Sequence, residues 1–118
     1  MEVTESVMIS EYRTNRLKSN WGDQASSMNC LAEVRVYDPL SAWECYIYAL
    51  NPEDGDEVEC IVKVGKDHPA CVEKWFLTNI FSLFNRYGEG VKIDREYRPC
   101  RAAELLKKLN QGRIYESH

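Results

Sequence analysis

The chain has 118 residues, of which 44% are hydrophobic, 29% are charged and 11% are aromatic. This length suits one domain with one core, and the balance of apolar and charged residues excludes an intrinsically disordered chain. No apolar run approaches the roughly 18–20 residues of a membrane-spanning helix, and the acidic N-terminus lacks the basic flank of a signal peptide. We therefore expect a cytoplasmic protein with no membrane association.

The net charge of −4 is unevenly distributed along the chain. Residues 33–59 contain eight acids and one base, whereas residues 86–113 contain eight bases and four acids. The chain is thus electrically polar, and its acidic middle disfavours general binding to duplex DNA.

Residues 3–18 predict the first helix, with Thr4 or Ser6 as its capping residue. The polar, small residues at 19–30 predict a loop, in which Trp21 is a candidate anchor. The apolar residues at helical spacing are Val3, Val7, Met8, Ile9 and Tyr12.

Alternating residues at 31–37 predict a strand with Ala32, Val34 and Val36 on one face. Residues 38–41 end it with turn-forming side chains and a proline.

The segment 43–64 carries the clearest local signal in the chain. Two β-rich runs, 43–50 and 57–64, flank the turn-rich residues 51–56, which predicts a hairpin. Symmetric pairing about the turn keeps the apolar residues on one face, whereas a one-residue slip would place glutamates opposite them. The expected pairs on this face are Trp43 with Val62, Cys45 with Cys60 and Ile47 with Val58.

The opposite face of this hairpin is predicted to be acidic and to carry tyrosines, because successive strand residues alternate between faces. Tyrosine among charged residues is typical of protein interfaces, so this face is the first candidate interaction surface. The alternative is that a helix of the same chain covers it. Its residues are Glu44, Tyr46, Tyr48, Glu57 and Glu59.

Residues 70–87 fit two interpretations. An apolar stripe from Val72 to Tyr87 fits one helix, but residues 73–77 also fit a strand followed by a short helix that Thr78 caps.

The C-terminal part predicts one more strand and one more helix. Residues 91–98 alternate as a strand, with Arg95 on the inward side and paired with an acid. Residues 101–109 predict a helix with its alanine and leucines inward and its lysines outward, and residues 111–118 predict a frayed tail. Together these elements predict a single α+β domain over 1–118: a curved antiparallel sheet with N-terminal and C-terminal helices.

Several short motifs follow one another along the chain: Met8 to Leu17, Arg35-Val36-Tyr37-Asp38-Pro39, Trp43 to Asn51-Pro52-Glu53-Asp54, Trp75-Phe76-Leu77-Thr78 with Ile80 to Phe84, and Val91 to Pro99 with Asp94-Arg95 in its centre. Their order resembles a bacterial family called Domain of Unknown Function 2958, small proteins of plasmids, integrative elements and phages. The resemblance spans roughly residues 8–108, and it favours a strand plus a short helix over 70–87. It implies a mobile genetic element, near antirestriction and conjugation genes, and it assigns no catalytic residue.

Two other clusters suggest other classes of function. A basic C-terminal pole could bind nucleic acid, and Cys71 beside His68 could act as a nucleophile and a base in a small hydrolase. No orienting group or oxyanion site accompanies the Cys/His pair, and the acidic turn lacks the donor spacing of an EF-hand. The basic pole comprises Arg86, Lys92, Arg98, Arg101, Lys107 and Lys108.

The sequence thus predicts a non-enzymatic protein-interaction module that needs no metal or cofactor. Its partner would be a host protein or a protein of the element itself, and inhibition of a host defence system, as by antirestriction or anti-CRISPR proteins, is one version. A nucleic-acid-binding accessory protein and a small hydrolase are the alternatives.

Overall fold

The computed structural model describes residues 9–116, with side chains as far as Gln111. It confirms an α+β fold with an antiparallel sheet and helices near both ends of the chain. In chain order the elements are α1 (Glu11–Asn20), α2 (Asp23–Ser27), β1 (Leu31–Ala32), β2 (Val34–Tyr37), β3 (Trp43–Leu50), β4 (Glu57–Val64), β5 (Cys71–Phe76), α3 (Leu77–Ile80), β6 (Lys92–Ile93), β7 (Cys100–Arg101) and α4 (Ala102–Glu116).

Five of the strands form the main sheet in the order β5-β4-β3-β2-β6, and β1 pairs with β7 in a separate ribbon. One face of the sheet, here called the first face, packs against Leu17 of α1 and Ile80 of α3. The second face packs against Ala25 of α2 and against Ala102 and Leu105 of α4. The sheet is therefore covered on both sides.

The predicted N-terminal helix begins later than expected. Ser10 has an extended backbone, and its side chain accepts a hydrogen bond from the backbone N–H of Arg13, so it is the N-cap of α1. Residues 3–8 of the predicted helix lie outside the described residues, and Tyr12 is 68% exposed rather than part of an apolar stripe. The helix over 3–18 is therefore wrong at residues 9 and 10.

The predicted strand over 31–37 is interrupted at Glu33. Ala32 belongs to the core of the second face, whereas Val34 and Val36 belong to the core of the first face. The expectation of one shared face is wrong because β1 pairs with β7, whereas β2 pairs with β3 in the main sheet. Trp21, the predicted anchor of the preceding segment, packs against the second-face core.

The bounds of the predicted hairpin are confirmed, but its register is not. Cys45 lies opposite Val62, and Ile47 lies opposite Cys60, two residues from the predicted pairing. A two-residue shift leaves every side chain on its expected face, so the apolar pattern fits both registers equally well. A β-bulge between Ile47 and Ala49 changes the pairing by one further residue and places Tyr48 and Ala49 together on the second face.

The structure decides between the two interpretations of residues 70–87, in favour of β5 followed by the one-turn helix α3. Thr78, which was expected to cap the short helix, instead lies inside α3. The carboxylate of Asp56 accepts hydrogen bonds from the backbone N–H of Thr78 at 3.0 Å and from its hydroxyl at 3.0 Å.

The C-terminal predictions are partly corrected. Of the strand predicted over 91–98, only Lys92–Ile93 pairs, and Arg95 is exposed rather than inward. The helix is confirmed with its leucines inward and its lysines outward, but it continues to Glu116 where a frayed tail was predicted. One glycine, Gly112, costs a helix only about 1 kcal/mol and does not end it.

Glu33 holds α1 against the sheet through a buried carboxylate. Its side chain is 2% exposed and lies 3.1 Å from Arg13 Nη1 and 2.8 Å from Arg16 Nε. Arg13 also donates to the backbone carbonyl of Glu33 at 2.9 Å. Both arginines are partly exposed. They are the groups that neutralise the buried carboxylate of Glu33.

Replacing both arginines, Arg13→Met with Arg16→Met, should lower the free energy of unfolding, because it leaves a buried carboxylate unpaired. Adding Glu33→Met should restore most of the loss, since an apolar replacement of a buried ion pair is often neutral. Urea denaturation followed by circular dichroism measures both effects. A triple variant no more stable than the double variant would contradict this role for Glu33.

Candidate functional site

The predicted tyrosine face is not exposed. Tyr46 is 6% exposed and Tyr48 is 1% exposed, and both belong to the second-face core beneath α2 and α4. The prediction of an exposed tyrosine surface is therefore wrong, because the helices cover the face that the hairpin alone would leave open. Burial raises the pKa of Tyr48, and the nearby Glu59 carboxylate adds to the effect.

The acids of the predicted surface are only partly exposed, and two of them are held by other residues of the chain. Glu44 accepts hydrogen bonds from Arg35 and from the hydroxyl of Tyr46. Glu57 accepts a hydrogen bond from the side-chain amide of Asn51 at 3.2 Å, beside the hairpin turn. The five residues therefore do not form one accessible surface.

Arg35 is the centre of a charged network on this part of the sheet. Its guanidinium lies 2.8 Å from Glu44 and 2.9 Å from Asp94, and it stacks 4.7 Å above the ring of Tyr37. Burial opposes the charge, but hydrogen bonds to Glu44 and Tyr46 hold the pKa of Arg35 above its usual value. Arg35, rather than the predicted Arg95, thus pairs with the acids of this region.

Raising the pH should destabilise the fold through Tyr46. Burial raises the pKa of Tyr46 to about 12, from an ordinary value of 10.0, and Glu44 adds to the effect while Arg35 opposes it. The neutral phenol is favoured in the folded state, so the stabilisation is complete below pH 10 and is lost as the pH rises towards 12. Unfolding in urea across this range, with Tyr46→Phe as the comparison, should show a smaller decline in the variant. An equal decline in both proteins would contradict the assignment.

The six side chains of the basic pole are all exposed. They lie on different elements: Lys107 and Lys108 on α4, Lys92 on β6, Arg101 on β7, and Arg86 and Arg98 on connecting segments. Arg101 lies 3.7 Å from Glu104 on the same surface. No single helix or strand presents the set as a stripe.

Cys71 and His68 are both exposed, at the start of β5 and in the preceding turn. The thiol of Cys71 contacts the carbonyl of Pro69 at 3.6 Å, and the carbonyl of His68 accepts a hydrogen bond from Lys63 Nζ. Among the described residues, no hydrogen bond joins the Cys71 thiol to the His68 ring. The predicted nucleophile and base are therefore close in sequence but are not hydrogen-bonded to each other.

Cys71 should be the fast-reacting thiol of the folded protein, because it alone of the five cysteines is classed as exposed. Ellman's reagent should modify about one thiol per chain rapidly in the wild type and none rapidly in Cys71→Ser. Cys45 and Cys60 should react only after denaturation, because both are fully buried. A rapid phase that survives the substitution would contradict the assignment of the fast-reacting thiol to Cys71.

Residues 84–90, here called the aromatic turn, expose two aromatic side chains within one short segment. Phe84 is 66% exposed and Tyr87 is 68% exposed, and the guanidinium of Arg86 lies 5.1 Å from the centre of the Tyr87 ring. Both interpretations of residues 70–87 predict a helix at these two aromatics, which the structure contradicts. The signal that indicated a turn was Asn85 followed by Gly88, a pairing typical of turns.

The aromatic turn is held by its own hydrogen bonds. The side-chain oxygen of Asn85 accepts from the backbone N–H groups of Tyr87 at 2.9 Å and Glu89 at 3.2 Å. Gly88 has a φ of 80°, a conformation that favours glycine. Phe84 and Gly90 pair as an isolated antiparallel bridge, which closes the turn.

A second turn is tied to the aromatic turn. The amide of Asn85 donates to the carboxylate of Asp38 at 3.2 Å, and the same carboxylate accepts from the backbone N–H of Leu40 at 3.0 Å. These hydrogen bonds hold the pKa of Asp38 below its ordinary value, with that from Leu40 the stronger influence. The half-exposed Leu40 side chain thus lies in a turn joined to the one that presents Phe84 and Tyr87.

Within the part of the chain that the structure describes, no helix is long and apolar enough to cross a bilayer. Over the same residues, no group of three or more His, Cys, Asp or Glu side chains is placed to hold a metal ion. Comparison with known proteins finds no matching family model, curated protein or solved structure. The resemblance to Domain of Unknown Function 2958 therefore stays a prediction.

Proposed function

We propose that this protein is a non-enzymatic interaction module that binds another protein through the aromatic turn. The observation that carries the proposal is that Phe84 and Tyr87 are two-thirds exposed on a backbone fixed by hydrogen bonds. This surface replaces the tyrosine face of the hairpin, which is buried.

The composition of the turn favours a protein partner. Tyrosine and arginine are enriched among the residues that dominate binding energy at interfaces, and Arg86 and Tyr87 stand side by side here. A turn that is ordered before binding avoids the entropy cost of ordering a loop on contact. The apolar side chain of Leu40 adds to the same region.

One version of this function is inhibition of a host defence system by occupying one of its proteins. The resemblance to proteins of bacterial mobile elements supports this version, since inhibitors of restriction and of CRISPR systems serve such elements. Residue chemistry supports binding, and the resemblance alone supports the choice of partner.

Tyr87→Ala should weaken partner binding by about 1–3 kcal/mol, as expected for an interface anchor. Tyr12→Ala is a matched control, because Tyr12 is equally exposed, at 68%, and also lies near an arginine, Arg16, at 5.7 Å. Affinity capture from bacterial lysate with quantitative mass spectrometry should show partners that Tyr87→Ala loses and Tyr12→Ala retains. Equal capture by both variants would contradict binding through the aromatic turn.

The second candidate is nucleic-acid binding, which the exposure of all six basic side chains favours. Nuclease treatment of the lysate separates the two functions. A partner that nuclease releases, and that Lys107→Glu also loses, would support the basic pole, because phosphate contacts depend on such charges. Retention after nuclease treatment supports the aromatic turn.

A further inference from the structure

Among residues 9–116, strand β5 forms one edge of the main sheet and pairs on one side only, with β4. It is six residues long, whereas β6 at the other edge has two residues. An edge strand presents unpaired backbone N–H and C=O groups that another strand can use. The edge of β5 is thus the longer of the two edges of this sheet.

The direction of the backbone groups along β5 follows from two hydrogen bonds. The N–H of Leu77 donates to the carbonyl of Asp56 at 2.8 Å, towards β4. Because alternate residues of a strand direct their backbone groups to opposite sides, those of Val72, Lys74 and Phe76 point away from β4. The carbonyl of Glu73, which contacts the thiol of Cys60, points towards β4 as this alternation requires.

The chain itself shows that this edge accepts an amide. Asn110 of α4 pairs with both backbone groups of Ala70, accepting from its N–H at 2.7 Å and donating to its carbonyl at 3.3 Å. A side-chain amide here takes the place of a peptide group in a neighbouring strand. Ala70 is in phase with Val72, Lys74 and Phe76, so the same edge continues along these three residues.

The side chains on this edge define what would fit beside it. Val72 is 43% exposed and Phe76 is 45% exposed, and both lie on the second face with Lys74 between them. A partner strand therefore meets an apolar, a basic and an apolar position in turn. Opposite charges and apolar pairs directly across two strands are each stabilising.

Pairing of β5 with a second copy of itself is disfavoured. Two copies related by a twofold axis keep the same face upward, so the central registers place Lys74 opposite Lys74 or Glu73 opposite Glu73. Like charges directly opposite each other are destabilising.

We propose that the β5 edge binds an extended protein segment by strand addition, and that the segment carries an acid flanked at two residues on either side by apolar residues. The acid would lie opposite Lys74, and the apolar residues opposite Val72 and Phe76. This site goes beyond the proposed function, because it uses neither the aromatic turn nor the basic pole.

The probe is a seven-residue capped peptide with valine at its second and sixth positions, glutamate at its fourth, and threonine elsewhere. Two-dimensional NMR of the full chain should show shifts at the amides of Val72, Lys74 and Phe76. Replacing the glutamate by lysine should weaken binding about fivefold, since a cross-strand charge pair contributes up to about 1 kcal/mol. Lys74→Glu should reverse this preference, and Lys92→Glu, the same charge change on β6, should not.

Backbone methylation of the probe tests strand addition without altering the protein. Residues directly opposite Val72, Lys74 and Phe76 exchange hydrogen bonds with them, so N-methylation of the glutamate should abolish binding. N-methylation of the adjacent threonine, whose N–H points away, should leave it intact. These two peptides keep the test decisive even where a protein variant folds poorly.

Several outcomes would overturn the proposal: no binding of the probe at millimolar concentration, binding indifferent to the charge of its central residue, or equal loss on methylation at either position. Sedimentation showing a dimer whose interface protects the Val72 amide from exchange would also overturn it in favour of a second copy. Tyr87→Ala should bind the probe normally, so failure at this edge and failure at the aromatic turn remain distinguishable.

Discussion

Strand β3 is buried on both faces from Cys45 to Leu50, and the rest of the architecture satisfies that constraint. A strand with apolar side chains on both faces requires cover on two sides of the sheet. Helices α1 and α3 supply the cover on the first face, and α2 and α4 supply it on the second. The bulge beside Tyr48 adjusts the strand so that two consecutive residues reach the second-face core. The tyrosines of the hairpin therefore stabilise the fold and are not free to bind a partner.

Part of the charge asymmetry along the sequence is used inside the fold. The acidic middle of the chain contains Glu33 and Glu44, which pair with Arg13 and Arg16 of α1 and with Arg35 of β2. Arg35 also reaches Asp94, which lies beyond β6. These ion pairs join α1 to the residue between β1 and β2, and β2 to β3 and to the segment after β6. The charge pattern that suggested a surface for a partner is, at these positions, a set of internal contacts.

A sheet with both faces covered leaves its turns and edges as the accessible surface. The aromatic turn carries two exposed rings on a hydrogen-bonded backbone. The β5 edge remains open because no described strand pairs beyond it. Loops and edges carry binding more readily than a covered sheet does, since their side chains can change without disturbing the core. Both proposed binding sites, the aromatic turn and the β5 edge, therefore lie outside the covered faces of the sheet.

Local sequence patterns were enough to predict the bounds of the 43–64 hairpin, the faces of its side chains up to Tyr48, and the inward leucines of α4. Alternation with a period of two and helical periodicity are both visible along the chain. The register was not predictable in this way, because a two-residue shift preserves every face and alternation does not reveal a bulge. The solvent exposure of the hairpin tyrosines likewise depends on tertiary packing. Whether Tyr46 and Tyr48 meet solvent depends on helices far away in sequence, and no local pattern records which face those helices will cover.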